Sequence, residues 1–189
     1  MQKKQKEKMR SELLSLRDSL SEGDVSSKSS KIFDCLISIP EVQAANSIAV
    51  YSPIRNEVDT TDFSKWIIKS GKTLLLPVTL DREIVFCQIS SLDELIEGKF
   101  GILEPRKKSP FGGEIDVILI PGVCFDEHLH RLGYGKGYYD RYLANSSAYK
   151  IGVCYDFQVV SELPIENFDV PLDEIVTELR QIRKHSPLR

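Results

Sequence analysis

Residues 117–141 read VILIPGVCFDEHLHRLGYGKGYYDR, and their order decides the fold. Val117–Ile120 is apolar at every position, the pattern of a strand buried on both faces of a parallel sheet. A glycine-bearing loop follows, and a helix is predicted around Tyr138 to Leu143. Strand, loop and helix in that order make a βα unit. The alternation continues on both sides. Ser47–Tyr51 (SIAVY), Thr73–Leu76 (TLLL, closed by Pro77), Ile84–Ile89 (after a turn at Asp81–Arg82), Ile151–Tyr155 and Glu174–Thr177 read as strands. Helices are predicted over residues 4–20, from about Ser26 to the limit set by Pro40, and after Asp59–Thr60. Leu92–Ile96 reads as a short helix and Phe100–Gly113 as a Pro/Gly-rich loop. The expectation is a single three-layer α/β/α domain over residues 1–189, Rossmann-like, with a mostly parallel central sheet. Ligands of such sheets bind beyond the carboxyl ends of the strands, here the loops after SIAVY, VILI and IGVCY.

In the first helix, Met9, Leu13, Leu16 and Leu20 form one stripe at a 3.6-residue period, and Gly23 sits where the helix should stop. Lys6 and Arg10, four apart, share its polar face. The tail at 180–189, RQIRKHSPLR, reads as basic and frayed.

Composition excludes several classes. The chain has 189 residues, 41% of them apolar, and a formal net charge of −3. That is enough for one sizeable core, and too acidic for a globally basic nucleic-acid binder. There is no run of 18 apolar residues and no apolar stretch behind MQKKQKEKMR, so neither a membrane span nor a secretory leader is expected. Cys35, Cys87, Cys124 and Cys154 are far apart with no CxxC, which argues for reduced thiols in a cytoplasmic protein.

Gly133, Gly135 and Gly137 alternate around Lys136, with Arg131 just upstream. Glycines permit close backbone approach and positive φ, and the loop N–H groups with the following helix start can cradle phosphate oxygens. The bland alternative is a tight strand-to-helix turn; neither GxxxxGK[ST] nor GxGxxG is present. Asp140 reads either as a first-turn carboxylate or as a Mg²⁺ ligand beside phosphates. Asp169 and Asp173 flank Pro171 and are either turn residues or a further carboxylate. In YSPIRNEVDT, Asp59 caps the next helix, whereas Glu57 has no such structural task and can accept hydrogen bonds from a planar heterocycle. His128 and His130 invite a metal reading, but two histidines in a loop lack the further ligands zinc needs; His185 lies in the tail. Asp126 with His130 also allows acid/base work, and Cys124 is a nucleophile or, more simply, a buried thiol.

Taken with their order and spacing, KEKMR (6–10), YSPIRNEVDT (51–60), LLLPVT (74–79), FGILEP (100–105), PGVCFD followed by RLGYGKGYYDRYL, and FDVPLDEIVTE (168–178) resemble the 5-formyltetrahydrofolate cyclo-ligase family over nearly the whole chain. The resemblance implies ATP- and Mg²⁺-dependent closure of 5-formyltetrahydrofolate to 5,10-methenyltetrahydrofolate. It implies ATP contacts at Lys6, Arg10, Arg131, Leu132, Gly133, Tyr134, Gly135, Lys136, Gly137, Tyr138 and Tyr139. Folate contacts would be Ser52, Glu57, Tyr138 and Tyr139, and Mg²⁺ ligands Asp140 and Asp169. Catalytic roles would fall on Lys136, Arg131 and Tyr139. The helix within residues 1–22 would then fold over the ATP site. The implied partners are small molecules; the acidic balance argues against nucleic acid, no membrane is expected, and with no coiled coil or obvious apolar docking face the chain is expected to be a monomer. One position departs: the family pattern has glycine where Leu129 stands. Leucine resists positive φ, so the turn before Arg131 is expected to change shape. Three other function classes compete on residues alone, the last of them opposed by the acidic balance and the lack of an RRM or KH pattern. They are an ATP-independent isomerase or acyl-CoA transferase on a related fold, a non-catalytic folate or nucleotide binder, and an RNA-binding module.

Overall fold

The computed structural model describes residues 2–80, 83–98, 101–166 and 169–184. The predicted turn at Asp81–Arg82, together with Phe100, His185 and the end of the tail, lies outside them. In chain order the elements are α1 (Gln2–Asp18), α2 (Glu22–Leu36), α3 (Pro40–Ala44), β1 (Ser47–Ala49), α4 (Thr61–Lys69), β2 (Thr73–Leu80), β3 (Glu83–Ile89), β4 (Leu95–Glu97), β5 (Leu103–Pro105), β6 (Val117–Ile120), β7 (Cys124–Asp126), β8 (Arg131–Leu132), α5 (Tyr138–Leu143), β9 (Tyr149–Val153), β10 (Val159–Val160), β11 (Glu174–Val176) and β12 (Gln181–Arg183).

Seven strands form the main sheet in the order β12-β11-β9-β6-β1-β2-β3. The five inner strands are parallel, and β12 and β3 are antiparallel edges. Parallel strands need both faces covered. On one face, Ile32 and Leu36 of α2, Val42 of α3, and Phe63 and Ile67 of α4 pack on Ile48, Leu74, Val117, Leu119 and Ile151. On the other, Leu143 of α5 joins Phe125, Leu129 and Leu172 against Ala49, Leu75, Ile118, Ile120 and Ile175. This is the expected layered α/β architecture, with the second outer layer built from one short helix and irregular chain. A small sheet, β10-β7-β8, stands beside it. Met9 and Leu13 seat α1 on Cys124, Leu132 and Leu163 of that region.

Several local expectations are corrected. Gly23 lies inside α2, because Ser21 caps that helix with Asp24 in a reciprocal capping box; α1 has already ended at Asp18. β2 runs through Pro77 to Leu80. Thr73 N–H and Leu75 C=O bond toward the β1 side, so Pro77 faces that side too, beyond the end of β1, where its missing N–H costs no ladder bond. Residues 92–94 form a 3₁₀ turn and then β4, which pairs with β5 inside the segment read as loop. The tail supplies β12 at 181–183 before the described residues end. Leu16 is 54% exposed, and Arg17 takes the inward place on α1. Among the described residues no helix is long and apolar enough to cross a membrane.

Candidate functional site

The chain leaving β6 makes a hairpin, β7–β8, before it reaches the glycine loop. Asp126 N–H donates to His130 C=O at 3.1 Å and Leu129 N–H to Asp126 C=O at 3.1 Å, the bonding of a three-residue hairpin loop whose last residue is left-handed. That residue is Leu129, at φ 71°. The expected change of shape is therefore absent: leucine adopts the backbone a glycine would, and its side chain is buried in the second core. The fully buried Asp126 carboxylate holds the turn. It accepts from the N–H groups of His128 (3.0 Å), His130 (2.8 Å) and Leu163 (2.9 Å), and it meets His130 Nδ1 at 3.1 Å. The histidine pair is thus organised by Asp126. Among the described residues no group of three or more His, Cys, Asp or Glu could hold a metal.

Arg131 leaves the hairpin buried. Its Nη2 donates to Asp140 Oδ1 at 2.8 Å, its guanidinium lies 5.4 Å from the centre of the Tyr139 ring, and its buried Nε has no hydrogen-bond partner. Next come Gly133 to Gly137, where Gly135 (φ 90°) and Gly137 (φ 65°) need the freedom of glycine. Gly137 is the N-cap of α5, and no side chain caps that end. Arg10 reaches from α1 to donate Nε to Gly133 C=O at 2.8 Å. Lys6, one turn earlier, pairs with Glu166 (3.1 Å) and Asp169 (3.4 Å). The helix therefore lies directly against the glycine loop. Tyr138 is overlain by Arg141, and burial pushes the partly buried Tyr139 hydroxyl far above the usual phenol range. Leu132 packs in the cluster with Met9 and Leu13, and its remaining surface borders the cleft.

The second cluster forms after β1. Arg55 (φ 48°) and Asn56 (φ 55°) are consecutive left-handed residues, and Glu57 N–H closes the turn on Ile54 C=O at 2.9 Å. Asn56 tolerates this backbone, whereas Arg55 is strained in it, and α1 with the residues after it holds the turn in place. Arg17 donates Nε to Arg55 C=O at 2.9 Å, and Asn56 donates Nδ2 to Leu20 C=O at 3.0 Å. Glu57 is thereby buried, with Ile54 N–H on Oε2 (3.1 Å), the Tyr134 hydroxyl on Oε1 (2.9 Å) and Arg17 Nη1 at 3.5 Å. Burial pushes its carboxyl above the ordinary range, and Arg17 opposes that most strongly. Ser52, also in this loop, donates to Leu103 C=O at 2.5 Å and so ties it to β5.

Both clusters open onto one cleft of about 1160 Å³ at the carboxyl ends of β1 and β6. That is slightly above the roughly 300–1,000 Å³ typical of a single-ligand pocket. Lys6, Arg10, Arg131, Lys136 and the loop glycines line one part, with Asp140 and Asp169; Ser52, Glu57, Ile54, Pro77, Leu80 and Ile84 line another. The cleft combines a cationic, glycine-rich wall with an apolar wall carrying one buried carboxylate.

Residues 2–178 match the 5-formyltetrahydrofolate cyclo-ligase family. The chain belongs to that family. It is 34% identical over 152 residues to the 5-formyltetrahydrofolate cyclo-ligase of Escherichia coli K12, covering 75% of this chain and 83% of that one. The probable 5-formyltetrahydrofolate cyclo-ligase of Schizosaccharomyces pombe is 29% identical, with 94% and 97% covered. The NMR structure of Aquifex aeolicus 5,10-methenyltetrahydrofolate synthetase superposes with a TM-score of 0.87 at 38% identity, covering 97% of this chain and 96% of that one.

Against the cyclo-ligase resemblance, every residue assigned to a ligand stands at or beside the one cleft. Asp140 and Asp169 are hard oxygen donors of the kind Mg²⁺ takes, and each is held by a cation, Arg131 and Lys6 respectively. The residue that motif reading missed is Arg17. Its signal was available: it follows Met9 and Leu13 at i+4 steps, a charge on the apolar row. Glu104 and Lys108, paired at 2.7 Å on the far rim, were also missed.

Proposed function

We propose that this cyclo-ligase converts 5-formyltetrahydrofolate to 5,10-methenyltetrahydrofolate at the expense of ATP, with Mg²⁺. The observation that carries the reading is the pairing, in one cleft, of the glycine loop with its cations and the buried Glu57. A formamide is a poor electrophile and its oxygen a poor leaving group. Transfer of the ATP γ-phosphoryl to the formyl oxygen releases ADP and turns that oxygen into part of a phosphate. N10 then attacks the formyl carbon, the C–O bond breaks, phosphate leaves with the oxygen, and the N10 proton is lost.

Such a transfer needs positioning and charge neutralisation more than an enzyme nucleophile. Loop N–H groups from Gly133 to Gly137 bind phosphate oxygens. Lys136, Arg131, Lys6 and Arg10 neutralise them, and the partnerless Nε of Arg131 is a donor in waiting. Asp140 and Asp169 would hold Mg²⁺ together with phosphate oxygens and water, and the ion supplies further charge neutralisation. Glu57 accepts hydrogen bonds from the pterin and orients N5, with Ser52 beside it; Tyr138 and Tyr139 border both ligands. The chain works as a cytoplasmic monomer on small molecules rather than on nucleic acid or membrane.

The test is an absorbance assay with 5-formyltetrahydrofolate, Mg²⁺ and ATP, following the methenyl chromophore in the near ultraviolet. A band that grows only with ATP is expected. Folate binding by calorimetry without the band would make the protein a binder; neither band nor binding would overturn the reading.

A further inference from the structure

The Tyr134 side chain belongs to the glycine loop but spends its hydroxyl elsewhere. It donates to Glu57 Oε1 at 2.9 Å and accepts from Arg17 Nη2. Arg17 is 1% exposed and comes from α1. Its other donors go to Arg55 C=O (2.9 Å), in the turn that carries Glu57, and to Gly122 C=O (3.3 Å), at the end of β6. The Arg17 guanidinium also lies 5.8 Å from the Tyr134 ring centre. Three chain segments therefore meet at one buried carboxylate: the first helix, the loop after β1, and the glycine loop.

We infer that Tyr134 and Arg17 are positioning residues that couple the two halves of the cleft, so that nucleotide on the glycine loop and folate at Glu57 each tighten the binding of the other. The inference rests on the proposed function and goes beyond it. Glu57 carries one hydrogen bond on each oxygen, from Ile54 N–H and from Tyr134, which leaves acceptor capacity on both oxygens for ligand donors. Tyr134 can thus stay in place when the carboxylate is used. Gly133 and Gly135 flank Tyr134, so the backbone around it depends on outside contacts to hold one shape. In the structure those contacts are Arg10 on Gly133 C=O and the Tyr134 hydroxyl itself. A ligand that fixes the loop fixes Tyr134, and with it the Glu57 carboxylate. The first ligand bears the ordering cost for both, and the second binds to a site already set. By linkage the effect is reciprocal.

Calorimetry tests this with the full chain. The affinity for 5-formyltetrahydrofolate is measured with and without Mg²⁺ and a non-hydrolysable ATP analogue, for the native protein and for Tyr134→Phe. That substitution keeps the ring over Arg17 and removes one hydroxyl. The native protein is expected to bind folate at least about fivefold tighter with the analogue present, the lower end of ordinary coupling. In Tyr134→Phe the ratio should fall below about twofold, with the far-UV spectrum unchanged. A merely structural hydroxyl would weaken both affinities and leave the ratio alone, which overturns the inference. So does a native protein that binds both ligands with no ratio. If neither ligand binds, the proposed function fails first and the inference falls with it. Arg17→Lys, which keeps the charge and loses the fork, should behave as Tyr134→Phe; an intact ratio there removes Arg17 from the coupling.

Discussion

Replacing Leu129 should reverse the usual order of alanine and glycine. The residue sits at φ 71°, with its N–H on Asp126 C=O and its C=O accepting from Leu172 N–H at 2.8 Å. Both bonds fix the peptide groups around it, so the left-handed backbone has no easy route to relax. Holding a residue with a Cβ there costs about 1–2 kcal/mol. The side chain, 5% exposed in the second core, offsets this: truncating a buried leucine to alanine costs about 2–5 kcal/mol. Burial therefore outweighs strain, and leucine is more stable at this position than alanine or glycine. Leu129→Ala loses the packing and keeps the strain, for a net loss of about 3 kcal/mol, or roughly 6–12 °C in a domain of this size. Leu129→Gly loses the packing but sheds the strain, and should be about 1 kcal/mol more stable than the alanine variant. Urea unfolding of the three proteins measures this directly. An alanine variant as stable as the glycine variant, or more so, would show that the turn does not demand the left-handed backbone.

Three further outcomes are expected. Arg10→Ala removes a charge-assisted bond to the glycine loop and should raise the KM for ATP about tenfold with the far-UV spectrum unchanged; Lys6→Ala, whose cation is shared with Glu166 and Asp169, should raise it less. An unchanged KM in both variants removes α1 from the site. Burial pushes the Cys124 thiol up to about 12 and raises Cys87 and Cys154 as well. Alkylation needs the thiolate, whose fraction at pH 8 shrinks as burial raises the value, so iodoacetamide at pH 8 should label Cys35 far faster than the other three in the folded protein and all four alike in urea. Rapid labelling of folded Cys124, read by mass spectrometry, would contradict that environment. Asp126→Asn places an amide donor among three backbone N–H groups and His130, and should cost about 3 kcal/mol in urea. A loss under about 1 kcal/mol would mean that the hairpin does not depend on the carboxylate.

What was legible in the sequence follows from how each element is stabilised. VILI, TLLL and SIAVY announce themselves because strands buried on both faces must be apolar at every position. Edge elements carry no such signature: β5, at Leu103–Pro105, and β12, at Gln181–Arg183, are three residues each and partly polar, and tertiary pairing alone makes them strands. Pro77 misled because a proline ends a strand only where its N–H side faces a partner. In the site, the glycine loop and Asp140 stand on the strand-to-helix connection where the sequence reading put them; Glu57, read as a carboxylate with no structural task, has one, since it holds Ile54 N–H, the Tyr134 hydroxyl and Arg17. Arg17 was legible only from its place on the apolar row after Met9 and Leu13, a signal outweighed by the rule that charges on a helix are usually solvated. Leu129 was misjudged because local backbone preference was weighed without the burial that outweighs it.

The cations that α1 brings to the cleft and to the wall behind it divide by burial, and the division says which contacts can exchange. Lys6 is partly accessible and faces Glu166, which is nearly half exposed. A pair with so exposed a partner is worth about 0–1 kcal/mol, so phosphate oxygens can take Lys6 from Glu166 at little cost, while Asp169, mostly covered, holds it more firmly. Arg17 and Glu57 are buried together, and breaking a buried pair by removing one partner costs about 3–5 kcal/mol. The same helix thus carries an exchangeable contact at its start and a fixed one near its end. Arg10 lies between them, on the C=O of the first loop glycine. A helix pinned at Arg17 and re-pairing at Lys6 can bring charge onto a bound nucleotide without disturbing the Ile54–Glu57 turn. It follows that salt should act unevenly along α1: screening weakens the Lys6 pairs and leaves the buried Arg17–Glu57 pair largely untouched.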